Sequence, residues 1–182
     1  MIGYRLKRGL PLALAFYLPI LIGCAPTNTI MYKRPEGGFA KYDIIEIPNF
    51  KKTDTEWVPY DSYTEIPDML AEKLRATNGF REIRRSESKD TWSEGGRVLL
   101  VEGTVTGFKR GCKFCEWFIR VNDKGKGSIS VWVRLIDKAT GYTIADAGIE
   151  GRATKPGYGR SRYVRVVNEI VHLIEGASGE KS

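Results

Sequence analysis

The nucleophilic and ligating capacity of this 182-residue chain is concentrated in three cysteines, Cys24, Cys112 and Cys115, and a single histidine, His172. Cys24 closes the stretch Leu21-Ile22-Gly23-Cys24. An apolar run, a small residue and then a cysteine is the arrangement in which a thiol accepts a diacylglyceryl group and becomes the new N-terminus after cleavage. Cys112-Lys113-Phe114-Cys115 has the spacing of a thiol oxidoreductase, whose first cysteine sits at a helix N-terminus that stabilises the thiolate. Here Lys109-Arg110-Gly111 has turn character and Glu116 to Val121 has strand character, so no redox helix is expected. A structural disulfide at a hairpin tip, formed in an oxidising compartment, is the expected state of the pair.

The remaining chemistry is sparse. Structural zinc takes about four ligands, and there is no second Cys or His pair to complete a site, so no metal is expected. His172 is three or four positions from Asn168, Glu169 and Glu175, on the polar flank of a helical pattern, and should lie at the surface. No Gly-x-Ser-x-Gly or His-Glu-x-x-His stretch occurs, and Gly125-Lys126-Gly127 lacks the following helix that a phosphate loop needs. The expectation is a protein without catalytic residues or cofactor. The competing enzyme reading is a tethered thiol/disulfide enzyme using Cys112 and Cys115.

One segment could bind rather than react. Lys109, Arg110, Lys113, Phe114 and Trp117 interleave cations and aromatics in a loop that continues to Lys126. Such a surface suits an anionic polymer, a lipid phosphate or a partner protein, although sheet edges carry the same composition for solubility.

The elements that would position these groups start with a leader. Arg5, Lys7 and Arg8 precede an uncharged block from Gly9 to Ile22 that is interrupted by Pro11 and Pro19. It is shorter than the roughly 20 apolar residues a membrane span requires. Residues 1–23 therefore read as a cleaved signal peptide, and acyl chains on Cys24 would add about 0.8 kcal/mol of membrane affinity per buried methylene. The chain has 29 basic and 22 acidic residues; removing the leader, with three basic and no acidic ones, leaves a net charge of +4. That mild excess, in an envelope compartment, speaks against nucleic acid as a partner.

Residues 24–40, with Ala25-Pro26 and Pro35-Glu36-Gly37-Gly38, read as a flexible lipidated tether, and residues 177–182 as a disordered tail. Between them residues 41–176 form one domain. Tyr42 to Ile47 reads as a strand, and Ile66, Met69, Leu70 and Leu74 as one face of a helix capped by Ser62 or Thr64 and stopped by Asn78-Gly79. Phe80 to Ile83, Arg97 to Phe108, Ser128 to Leu135 and Tyr142 to Ala145 read as further strands, the last two joined by a turn at Asp137 to Gly141. Tyr163, Val167, Ile170, Val171 and Ile174 recur at helical spacing up to Gly176. The order β-α-β-β-β-β-α predicts an α+β domain, a mostly antiparallel sheet of about five strands with both helices on one face.

The series from Val101-Glu102-Gly103-Thr104-Val105 through Gly125-Lys126-Gly127 to Asp137-Lys138-Ala139-Thr140-Gly141, behind a lipobox, resembles an uncharacterised family of bacterial lipoproteins defined only as a domain of unknown function. The resemblance spans about Lys41 to Glu175 and implies a periplasm-facing lipoprotein with no catalytic residues to carry over. Cys112 and Cys115 depart from that pattern. Ala25, where lipoproteins kept in the inner membrane commonly have aspartate, implies outer-membrane sorting in a Gram-negative cell. The expected partners are the membrane, through Cys24, and an envelope protein or anionic polymer; the expected role is non-enzymatic, in assembly or maintenance of the envelope.

Overall fold

A computed structural model of the chain describes residues 27–33, 39–53, 58–59, 61–86, 96–111, 126–153 and 159–176. They form strands β1 (Asn28–Lys33), β2 (Ile44–Pro48), β3 (Lys51–Lys52), β4 (Glu82–Ser86), β5 (Val98–Lys109), β6 (Ser128–Asp137) and β7 (Thr143–Arg152), with helices α1 (Ser62–Thr77) and α2 (Gly159–Gly176). All seven strands belong to one sheet of order β1-β7-β6-β5-β2-β4, with β3 against β5.

The α+β class with two helices is what the residue pattern predicts, but the strand count and the pairing need correction. α1 returns the chain from the end of β2 to its start, so β4 pairs β2 in parallel, and β2 and β3 also run parallel to β5. Only β1, β7, β6 and β5 form an antiparallel series. The sheet is therefore mixed.

The second correction concerns the tether. Asn28 to Lys33, placed by composition in a flexible segment, pair with β7 over Asn28↔Glu150 to Lys33↔Asp146. Thr29, Ile30, Met31 and Tyr32 are good strand formers that outweigh the prolines and glycines on either side. β7 is likewise longer than expected, because Ala145, Ala147, Gly148 and Gly151 lower its apparent strand propensity.

Those small residues answer to packing. α2 lies against β6 and β7, α1 against β2 and β4, and the two helices touch. Ile66, Leu70 and Leu74 of α1 and Val166, Ile170 and Ile174 of α2 are fully buried against Ile45, Leu99, Val101, Val133 and Leu135 of the sheet. Each such side chain contributes roughly 1.5–3 kcal/mol by leaving water. At Gly151 the helix backbone comes so close that a Cβ would overlap the carbonyl oxygen of Arg162 and lie 2.8 Å from Val166 Cγ2.

Local chemistry fixes the ends. α1 stops where Asn78 takes a left-handed conformation at φ 52°. Pro67 sits in the second turn of α1, and the Tyr63 carbonyl that its missing N–H cannot satisfy accepts the amide of Phe50 at 3.0 Å. The β6–β7 turn has Gly141 at φ 70°, and the Asp137 carboxylate accepts the amides of Ala139 and Thr140 at 3.0 and 3.1 Å. Tyr42 Oη donates to the same carboxylate at 2.8 Å, tying the start of the domain to this turn. Burial and then that hydrogen bond raise the Tyr42 pKa; for Asp137, burial acts upward and is outweighed by the bonds from Tyr42, Thr140 and Ala139, which leave its pKa lowered.

Candidate functional site

Among the described residues, the helices lie on one face of the sheet and none lies on the opposite face. On that second face cross-strand neighbours alternate between charged pairs and a short apolar strip. Glu46 on β2 is 2% exposed, and accepts Lys138 Nζ at 2.6 Å and Ser86 Oγ at 3.1 Å. Glu102 on β5 accepts Arg134 Nη2 from β6 at 2.7 Å, and Trp132 Nε1 donates to Asp146 of β7. Near the other end of β7, Glu150 accepts Arg152 Nη2 at 3.1 Å. Burial presses the Glu150 pKa upward, but hydrogen bonds from Arg152, Ser128 and Asn28 outweigh it and hold the carboxyl below its ordinary value. A face internally paired in this way is set by the strand register: Glu102↔Arg134 and Arg134↔Asp146 are direct cross-strand partners.

The apolar strip runs across Gly148. Trp132 pairs with Gly148, which pairs with Ile30 on β1, and the Tyr32 ring lies 3.4 Å from where a Gly148 Cβ would stand. A methyl at this position would meet the Tyr32 ring at ordinary van der Waals contact, so the ring packs directly over the glycine. Ile30, Tyr32 and Trp132 are 60%, 67% and 40% exposed. β1 is a terminal strand of the sheet, so one row of its backbone N–H and C=O groups faces outward. Lys33 closes the strand, with Nζ 3.8 Å from the Tyr142 ring centre and 2.6 Å from the Thr143 carbonyl oxygen. An outward-facing strand flanked by large apolar and aromatic side chains is a surface that strand addition or side-chain docking can use.

The residues singled out by chemistry in the sequence fall elsewhere. Cys24, Cys112 and Cys115, and the loop residues Lys113, Phe114 and Trp117, lie outside the described residues. Lys109 is the last residue of β5, opposite Ser128, and Arg110 follows it; both are exposed. They sit where Arg162, at the start of α2, donates from Nη1 to the Lys109 carbonyl oxygen at 3.0 Å and stacks 4.3 Å over the Phe108 ring. Burial lowers the Arg162 pKa from its ordinary guanidinium value. His172 is exposed on α2. Among the described residues no group of three or more His, Cys, Asp or Glu could hold a metal ion, and no helix is long and apolar enough to cross a membrane. Ile30, Tyr32 and the β1 edge were not singled out from sequence, although the β-prone run Thr29 to Tyr32 inside a proline- and glycine-bearing stretch is the signal that would have found them.

No protein-family model matches the chain, and no curated protein matches it. Solved structures share its fold. A PelC dodecamer from Paraburkholderia phytofirmans aligns with TM-score 0.57 at 16% identity, over 81% of this chain and 97% of that chain. The hypothetical protein CT253 from Chlamydia trachomatis aligns with TM-score 0.50 at 14% identity, over 76% and 99%. The lipoprotein GNA1162 from Neisseria meningitidis is matched more loosely, with TM-score 0.38 at 13% identity over 71% and 96%. The first two likenesses cover nearly the whole of the matched chains, so this chain holds one complete copy of their fold; at these identities they establish fold and nothing finer.

Proposed function

We propose that this chain is a non-enzymatic lipoprotein, held in the outer membrane by acyl chains on Cys24 and facing the periplasm, whose α+β domain binds another protein of the cell envelope along β1. The observation that carries the binding reading is the combination of an outward backbone edge on β1 with Ile30, Tyr32 and Trp132 exposed around Gly148. Monomeric proteins seldom leave large side chains grouped beside an open strand edge, since the two together invite pairing with other chains. The PelC chains of the same fold form a dodecamer, which supports reading a flank of this fold as an assembly surface. The exposed aromatics supply contact area, and the paired charges on either side, Glu102 with Arg134 and Glu150 with Arg152, supply a polar rim.

Photocrosslinking in intact cells tests the reading. A Tyr32→p-benzoylphenylalanine protein is expected to yield a discrete adduct with an envelope protein, reduced at least tenfold when Ile30→Ser and Trp132→Ser are added. The same probe placed at Glu72, exposed on α1, is expected to yield none. An adduct from Glu72 and none from Tyr32 would move the binding surface to the helices and end the proposal for β1.

A further inference from the structure

The strands that meet β1 define which end of the domain lies next to Cys24. Asn28 stands in one row with Glu150, Ser130 and Gly107. The chain entering β1 comes from beyond that row, on the side where β5 ends, β6 begins and β7 ends. Lys109, Arg110, Lys126, Arg152, Arg160 and Arg162 all lie on that side, around the strand ends and the first turn of α2. Two acids there are paired, Glu65 with Arg160 at 2.9 Å and Glu150 with Arg152 at 3.1 Å, and Asp61 precedes α1. Among the described residues the cations outnumber the acids at this end. The opposite end mixes both signs, with Asp43, Arg97, Asp137 and Lys138 close together.

Covalent geometry then limits where this end can go. Only Ala25, Pro26 and Thr27 separate Cys24 from Asn28, a reach of about 14 Å even when fully extended. Lys109 stands two residues beyond Gly107, so the basic end projects about 7 Å from the Asn28 row toward the anchor. The remaining gap is comparable to the Debye length of about 8 Å at physiological ionic strength, over which surface charges act on one another.

We infer that the strand-end surface of Lys109, Arg110, Lys126, Arg152 and Arg162 docks on anionic phospholipid headgroups of the bilayer that holds Cys24. This rests on the lipidation of Cys24 proposed above. The domain then does not hang from a spacer; it stands with its strands rising from the membrane and the β1 edge directed sideways, toward neighbours on the same surface. Clustered Lys and Arg next to a lipid anchor are held by the negative surface potential, each adding to the hold of the acyl chains.

Lysine footprinting of the full lipidated protein on vesicles tests this. The protein would be reconstituted on vesicles of phosphatidylcholine alone or with about one third phosphatidylglycerol, and exposed to a water-soluble acetylating reagent. The expected result is sedimentation with both vesicles. On the anionic ones acetylation of Lys109 and Lys126 should fall about tenfold, with recovery at about 1 M salt, where the Debye length drops to about 3 Å. Exposed Lys41, at the far end, should react alike throughout. Equal acetylation of Lys109 and Lys126 on the two vesicle types, with the protein fully bound to both, overturns the docking and leaves the anchor intact. Failure to sediment with neutral vesicles overturns the anchor instead, and sedimentation with anionic vesicles alone would keep the headgroup contact without it.

Discussion

Gly151→Ala is expected to destabilise the domain by about 3 kcal/mol, because overpacking at a contact that cannot yield lies at the upper end of the usual cost of about 1–3 kcal/mol. The new methyl would overlap the Arg162 carbonyl oxygen and press on Val166 Cγ2 at 2.8 Å. The first contact is with helix backbone, so no rotamer change relieves it, and α2 has to lift from β7. That movement also pulls Arg162 away from the Lys109 carbonyl and the Phe108 ring, which it braces at the end of β5. Thermal unfolding is expected to fall by roughly 6–12 °C for a domain of this size. Gly148→Ala is the control on the same strand: its methyl would meet only the Tyr32 ring, at an ordinary 3.4 Å, and should leave the melting temperature nearly unchanged. A Gly151→Ala protein that melts like its parent would mean that α2 does not pack on β7 as described.

Lys138→Met should cost about 3 kcal/mol, the lower end of the range for removing one partner of a buried pair. Glu46 is 2% exposed and Lys138 Nζ donates to its Oε2 at 2.6 Å, so the variant keeps the carboxylate inside with, among the described residues, the Ser86 hydroxyl as its remaining hydrogen-bond donor. Replacing both groups, Glu46→Leu with Lys138→Met, removes the stranded charge and is expected to recover most of the loss. Denaturant unfolding of the single and double variants measures the coupling directly. Additive losses would show that the pair does not act as a unit.

What could be read from the sequence follows the strength of the local signals. α1 and α2 were legible because Ile66, Leu70 and Leu74, and Val167, Ile170 and Ile174, recur at a helical period and bury on one side. β5 was legible from its long β-prone run, Val98 to Val101 and on through Val105, and β6 because Ile129, Val131, Val133 and Leu135 alternate with polar residues. β7 was half hidden, since the helix contact demands Ala145, Ala147 and Gly151 where strand propensity would prefer branched residues. β1 was hidden by its neighbours, and its two-sided consequence went with it: an edge strand is present, and the tether is shortened to the few residues between Cys24 and Asn28. Parallel pairing of β2 with β4 and β5 depends on where α1 returns the chain, which no local pattern records.

The binding surface was the least legible part. Alternation with the buried Val131 and Val133 sets Trp132 on the face away from the core, but its relation to Ile30 and Tyr32 depends on the register across Gly148, a residue whose type alone says little. Conversely, Lys109 and Arg110 were singled out for their charge, and their position explains that charge in a new way. They stand at the end of the sheet where the chain enters from the side of Cys24.

Mass spectrometry of the protein extracted from cell membranes tests the central claim most directly. The predicted N-terminal peptide begins at Cys24 and carries the added mass of a diacylglyceryl group and an amide-linked acyl chain, with residues 1–23 gone. A Cys24 thiol recovered unmodified, within a peptide that still joins it to Gly23, would contradict the account.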